Sequence, residues 1–155
     1  MLRIVLAVLH LLALGIGLGA IYARARALHR IGTSSDAIRD TFAADSWWAA
    51  AAVLWITTGL WRALAGTEKA TSYYFSNHVF FAKMGLLVIV LLLEVWPMMT
   101  LIKWRVAAAK ETLPSPELLS PTGRRLARVS DVQTLLVVAM VVAAVMMARG
   151  YGARG

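Results

Sequence analysis

Residues 79–102 read VFFAKMGLLVIVLLLEVWPMMTLI, a run of 24 residues in which one lysine and one glutamate are the only ionised side chains. At about 1.5 Å of rise per residue, a helix of this length exceeds the roughly 30 Å of a bilayer's hydrocarbon core. Lys83 and Glu94 are expensive to place against acyl chains, so they are expected to face protein. Three further apolar stretches flank this one, at about 4–23, 47–65 and 132–148. Together they predict an all-α, polytopic membrane four-helix bundle, with residues 1–155 forming a single integral membrane domain.

Composition supports that class. The chain is 60% hydrophobic and 15% charged, with a mean hydropathy of +0.70, outside the range of ordinary soluble domains. Its formal charge of +8 does not signal nucleic-acid binding, because the basic residues flank apolar spans and do not interleave with aromatics on a soluble surface. There is no cysteine, which excludes disulfides and thiolate-ligated metals. Arg3 ahead of an apolar run resembles a signal peptide, but the run is too long and is read as a retained first helix.

Between the apolar stretches the reading is less regular. Asp45 and Ser46 are expected to cap the second helix, with Trp47 and Trp48 at the headgroup boundary. Pro114-Ser115-Pro116 and Ser120-Pro121-Thr122-Gly123 carry turn chemistry and predict a mobile connector before the fourth helix. Its Arg124, Arg125 and Arg128 read as a topology determinant in contact with anionic lipid. Asp131 is expected to complement the dipole at the start of that helix. Of the 16 Lys and Arg residues, ten lie in the first and third polar segments, five on the opposite side, and Lys83 within a span. The positive-inside rule then predicts the first and third polar segments cytoplasmic and both termini periplasmic in a bacterial inner membrane.

The ionisable groups define the candidate sites. His10 in the first helix and Lys83 in the third are expected in the same half of the bilayer, with Arg62, Asn77 and His78 at its mouth. A membrane histidine serves as a metal or haem ligand, a proton relay, or a hydrogen-bonding link between helices. Glu94 lies about 16 Å deeper than Lys83 on nearly the same face. Its expected partners are Arg24, Arg26 or Arg128, as a structural ion pair or as part of a proton path. Pro97 is expected to kink its helix. Gly15 and Gly19 suggest close helix packing, and Met98-Met99 and Met146-Met147 read as packing rather than ligands.

Several segments carry a resemblance. His10-Leu11-Leu12, Thr57-Thr58-Gly59-Leu60 with Arg62, Tyr73-Tyr74 followed by Asn77, and Phe80-Phe81-Ala82-Lys83-Met84 resemble DUF2214, a family of small bacterial four-helix membrane proteins with no assigned activity. A more distant similarity is to HemJ-type protoporphyrinogen oxidases and CopD-like membrane domains. Both are helical bundles with a first-helix histidine; in the HemJ type that histidine and a third-helix lysine are hallmarks, and b-type haem is bound. Arg26 follows His10 at a similar distance, and Thr134-Leu135-Leu136-Val137-Val138 resembles the start of the last core helix. The HemJ-type proline before that threonine is Gln133 here, the histidine beside the lysine is displaced to His78, and the second helix differs.

That similarity implies haem b or another porphyrin in the outer half of the bundle, used for electron transfer or porphyrinogen oxidation. His10 would be the axial metal ligand, and Lys83 and Arg62 would contact the cofactor. Two other readings stand beside it. One is a proton-linked transporter subunit for a small solute, which with four helices calls for a homo-oligomer. The other is a scaffold or accessory protein without a cofactor, whose buried charges only specify packing. Apart from lipid and a second copy, the sequence names no partner.

Overall fold

The computed structural model describes residues 1–64 and 77–151, the side chain of Ala63 excepted. Four helices account for nearly all of them: α1 (Leu2–His29), α2 (Ala37–Leu64), α3 (His78–Ala109) and α4 (Pro116–Ala148). Helix α1 packs against α2 and α4, and α4 packs against α3. The all-α membrane bundle expected from the sequence is therefore the fold. Ala65, Lys69, Tyr73-Tyr74 and Arg154 lie outside the described residues.

The helices are longer than the apolar stretches that announced them. α1 continues to His29 and α2 starts at Ala37, so 28-residue helices extend over about 42 Å where the hydrocarbon core needs about 30 Å. Asp45 and Ser46, expected as caps, lie inside α2. Ser46 Oγ donates to the Phe42 carbonyl one turn back at 3.0 Å. α3 runs unbroken through Pro97, which is fully buried.

The expected mobile connector is also corrected. Pro116 opens α4 at its first turn, where a missing amide is harmless, and the helix continues through Pro121. Burial explains the continuation. Leu119, Gly123, Leu126 and Ala127 form an inward stripe on α4, and a Cβ on Gly123 would lie 3.3 Å from the Leu28 carbonyl oxygen and 3.2 Å from Ile31 Cδ1. Helix contact at this distance outweighs the turn propensity of Pro121-Thr122-Gly123. Asp131 is consequently well inside α4, where it meets His29 Nε2 at 2.9 Å instead of a helix start.

The buried side chains form two apolar clusters. One gathers Ala13, Ile21, Trp48, Trp55, Val90, Val137 and Met140; the other gathers Leu28, Ile31, Ala37, Leu101, Trp104, Leu119 and Leu126. The second lies towards the end of the bundle that carries the connectors at residues 30–36 and 110–115, here termed the connector end. The opposite end holds Leu2, Leu64, His78 and Ala148.

Outside these clusters, large apolar residues face outward along every helix, among them Ile4, Leu11, Val53, Leu92 and Leu135. In water such a surface would drive aggregation; in lipid it is the solvent-matched surface. Helices α1, α3 and α4 are long and apolar enough to cross a membrane. α2 has the length, but its tryptophans, threonines and Arg62 make it less apolar.

At the opposite end, the fully buried Asn77 caps α3. Its side-chain oxygen accepts the amides of Val79 and Phe80 at 2.9 and 3.3 Å, and its Nδ2 donates to the Tyr151 carbonyl at 3.2 Å. The start of α3 is thereby tied to the segment that follows α4.

Candidate functional site

Arg24 is the largest fully buried side chain among the described residues, with no exposed surface. Its guanidinium Nε donates to Ser130 Oγ at 3.2 Å. Nη1 donates to Asp45 Oδ1 at 2.9 Å and to Glu94 Oε1 at 2.6 Å. Nη2 donates to Glu94 Oε2 at 2.8 Å and to Gln133 Oε1 at 3.0 Å. One side chain of α1 thus reaches α2, α3 and α4 together. A planar fork of donors is what this arrangement requires, and lysine could not reproduce it.

The acceptors are themselves held. Gln133 Nε2 donates to Glu94 Oε2 at 2.8 Å and to the Val90 carbonyl at 3.1 Å. Arg105 of α3 places Nη2 3.1 Å from Asp45 Oδ2 and 2.6 Å from the Phe42 carbonyl, with its guanidinium 4.8 Å from the Phe42 ring centre. Two guanidinium groups balance two carboxylates. In a low dielectric, such a neutral and satisfied cluster escapes the penalty of a lone buried charge.

The cluster divides the two apolar cores. Along α1, Arg24 follows Ile21 and precedes Leu28; along α2, Asp45 lies between Ala37 and Trp48. On α3, Glu94 falls between Val90 and Leu101, and on α4, Ser130 and Gln133 fall between Ala127 and Val137. From Leu2 to Ala23, α1 covers about 33 Å, close to one hydrocarbon thickness. Arg24 therefore comes at the end of the stretch that lipid can cover.

A second polar group lies nearer the opposite end. Trp55 Nε1 donates to His10 Nε2 at 3.1 Å, and His10 Nδ1 is 3.0 Å from Thr58 Oγ1. Thr58 spends its own hydroxyl proton on the Leu54 carbonyl at 2.7 Å, so Nδ1 is the donor. This pattern fits an imidazole that carries its proton on Nδ1. Gly59 lets the ring lie against α2, because a Cβ there would come 3.0 Å from His10 Cε1.

These contacts decide how a porphyrin fits. Both imidazole nitrogens are engaged by α2. An iron on Nε2 would have to displace Trp55, and a flat macrocycle would have to part α1 from α2 where Gly59 brings them together. The core formed by Ala13, Gly17, Trp48, Trp55 and Val137 leaves no water-sized cavity. The residues as arranged do not fit a His10-ligated haem, and no group of three His, Asp or Glu side chains that could hold a metal ion occurs among the described residues.

The remaining sequence candidates separate. Arg62 and Lys83 are both half-buried and close enough for their charges to interact. Among the described residues, no hydrogen bond joins Lys83 to His10. Arg26 is exposed and takes no part in the Arg24 cluster, so Glu94 is paired by Arg24 alone of the three expected cations. Met98, Met99 and Met146 are largely exposed on the apolar surface.

Sequence reading missed Asp45, Ser130, Gln133, Arg105, Trp55 and Thr58 as cluster members. Part of the signal was present: extending the helical period of α2 back to Ala37 and of α4 back to Pro116 brings Asp45 and Ser130 inside helices.

A family model described as "Predicted membrane protein (DUF2214)" matches residues 2–152. No curated protein and no solved structure matches the chain.

Proposed function

We propose that this chain, which belongs to the DUF2214 family of predicted membrane proteins, is a scaffold or accessory protein of the bacterial inner membrane. Its buried charges fix helix packing and do not carry a cofactor or a proton. The observation that supports this reading is the saturation of Arg24, whose guanidinium is bonded to three other helices. A proton on Glu94 would cost a bond from Arg24 or Gln133, which suits a clamp better than a relay. The engaged nitrogens of His10 support the same reading at the other polar group, as a hydrogen-bonded link between α1 and α2.

In the orientation we propose, the connector end is cytoplasmic and both termini are periplasmic, by the excess of Lys and Arg at that end. The Arg24 cluster then lies at the cytoplasmic boundary of the hydrocarbon, and the second apolar cluster forms a cap beyond it.

The test is a reduced-minus-oxidised visible spectrum of detergent-purified protein from cells supplied with haem precursor, recorded beside a thermal melt of wild type and His10→Ala. A colourless wild type, with a lowered melting temperature in the variant, is the expected result. A Soret band lost in His10→Ala would replace this reading with haem binding. Solute flux in proteoliposomes that disappears in Glu94→Gln, with the fold retained, would replace it with transport.

A further inference from the structure

On the outside of the α1–α2 pair runs a groove of about 380 Å³, lined by Ile16, Gly19 and Ala23 of α1 and by Ala43, Ala44 and Trp47 of α2, with Asp40 at its connector end. Gly15 and Gly19 do not serve packing among the described residues. A Cβ on either would meet nothing within 4 Å, whereas one on Gly17 would touch Ala51 and Trp48. Glycine destabilises a helix interior relative to alanine, and no contact among the described residues requires it at positions 15 and 19.

Charge at the same end of the groove says what covers it. α1 and α2 are antiparallel, with Gly17 against Ala51, Arg24 bonded to Asp45 and Arg30 bonded to Asp40. This register puts Arg26 between the levels of Asp45 and Asp40. Arg26 is exposed and makes no hydrogen bond or ion pair among the described residues. Asp40 spends only Oδ2, on Arg30 Nη2 at 2.9 Å; its other oxygen accepts no bond among the described residues. A guanidinium and a carboxylate oxygen thus lie within about one helical turn of each other near the groove's connector end, each with bonding capacity left.

We infer that the groove is the docking surface for a second copy of this chain, paired side by side about a two-fold axis along the membrane normal. Two copies inserted in the same sense, whichever that is, hold Arg26 of one within about a helical turn of the depth of Asp40 of the other, inside the reach of its side chain. The patch is self-complementary, as an isologous interface must be. Small residues let the two helix pairs approach closely, which is how helices associate in lipid where apolar burial gives no drive.

The absence of native cysteine makes the test direct. Ala23→Cys in native membranes, treated with a copper–phenanthroline oxidant, is expected to form disulfide-linked dimer several-fold faster than Leu135→Cys, which faces outward on α4. Energy transfer between labelled copies, diluted in liposomes, is expected to show Gly19→Leu and Arg26→Glu dimerising roughly tenfold more weakly than wild type. At a dilution where the chain is monomeric, Arg26→Glu should keep the wild-type melting temperature and Gly19→Leu should keep or raise it, since neither side chain meets a partner among the described residues. Equal cross-linking at the two cysteines would overturn the inference. So would Gly19→Leu that dimerises like wild type, or a monomer that carries lipid in the groove.

Discussion

Arg24 and Glu94, seventy residues apart, meet as a bidentate pair with nitrogen–oxygen distances of 2.6 and 2.8 Å. The arginine has no exposed surface, and the glutamate side chain is 17% exposed. Parallel N–H bonds from a fixed fork set both the distance and the rotation of α1 relative to α3. Since α1 and α3 are both held by α4, the pair fixes the third side of that arrangement. Each flanking partner then has a measurable share.

Gln133 bridges Arg24, Glu94 and the Val90 carbonyl from a fully buried position. Gln133→Leu removes all three bonds while keeping the volume similar, and is expected to destabilise the protein by about 1–3 kcal/mol. Arg105→Ala acts at the half-exposed rim of the same cluster and is expected to cost about 1 kcal/mol. Equilibrium unfolding in detergent checks the order. A larger loss for Arg105→Ala would place the centre of the cluster elsewhere.

At the other polar group, His10→Ala leaves the Trp55 indole donor without its acceptor, for an expected loss of about 1–3 kcal/mol. Gly59→Ala tests the close contact independently. The new methyl enters at 3.0 Å from the imidazole, and overpacking of this kind costs typically about 1–3 kcal/mol. Both variants should also change the fluorescence of Trp55. Wild-type stability in Gly59→Ala would show that the ring does not lie against α2.

The continuity of α4 through Pro121 yields opposite effects two residues apart. Gly123→Leu pushes a side chain into Leu28 and Ile31 and should lower the melting temperature sharply. Pro121→Ala supplies a helical amide and removes a ring, so it should raise stability, by up to about 3 kcal/mol. A destabilised Pro121→Ala would mean that the chain does turn there.

Orientation is checked with single cysteines. Ser115→Cys in the second connector should react in intact spheroplasts only with membrane-permeant maleimides, while Tyr151→Cys beyond α4 should react with impermeant ones as well. The reverse pattern would invert the proposed topology, leaving the helix packing untouched.

How far the sequence revealed this structure follows from the physics of each signal. Apolar runs identify what lipid covers, and residues 4–23, 79–102 and 132–148 all fall within observed helices. They do not show where a helix ends once it leaves the lipid. Turns of α1, α2 and α4 beyond the membrane are held by Leu28, Ala37, Leu119 and Leu126, whose mixed surroundings hide the helical period. For the same reason Asp45 has the sequence signature of a cap and Asp131 that of a helix start, although both lie inside helices.

Glu94 is legible because a carboxylate in an apolar run demands a cation, and Arg24 is one of the three that the sequence offers at its depth. The polar amide of Gln133 and the hydroxyls of Thr58 and Ser130 carry no such demand. Their roles come from contacts between helices far apart in the chain. His10 was visible for its type alone. Its partners Trp55 and Thr58, which decide its chemistry, depend on the register of α1 against α2.

The most direct measurement is a double-mutant cycle on Arg24 and Glu94: unfolding free energies of wild type, Arg24→Met, Glu94→Gln and the double variant under one detergent condition. Each single variant leaves partners of a buried cluster uncompensated and is expected to lose about 3–5 kcal/mol. The double variant should lose clearly less than the two losses added, giving a coupling of at least about 2 kcal/mol. Additive losses, or a Glu94→Gln protein as stable as wild type, would contradict a clamp and return Glu94 to the proton-path reading.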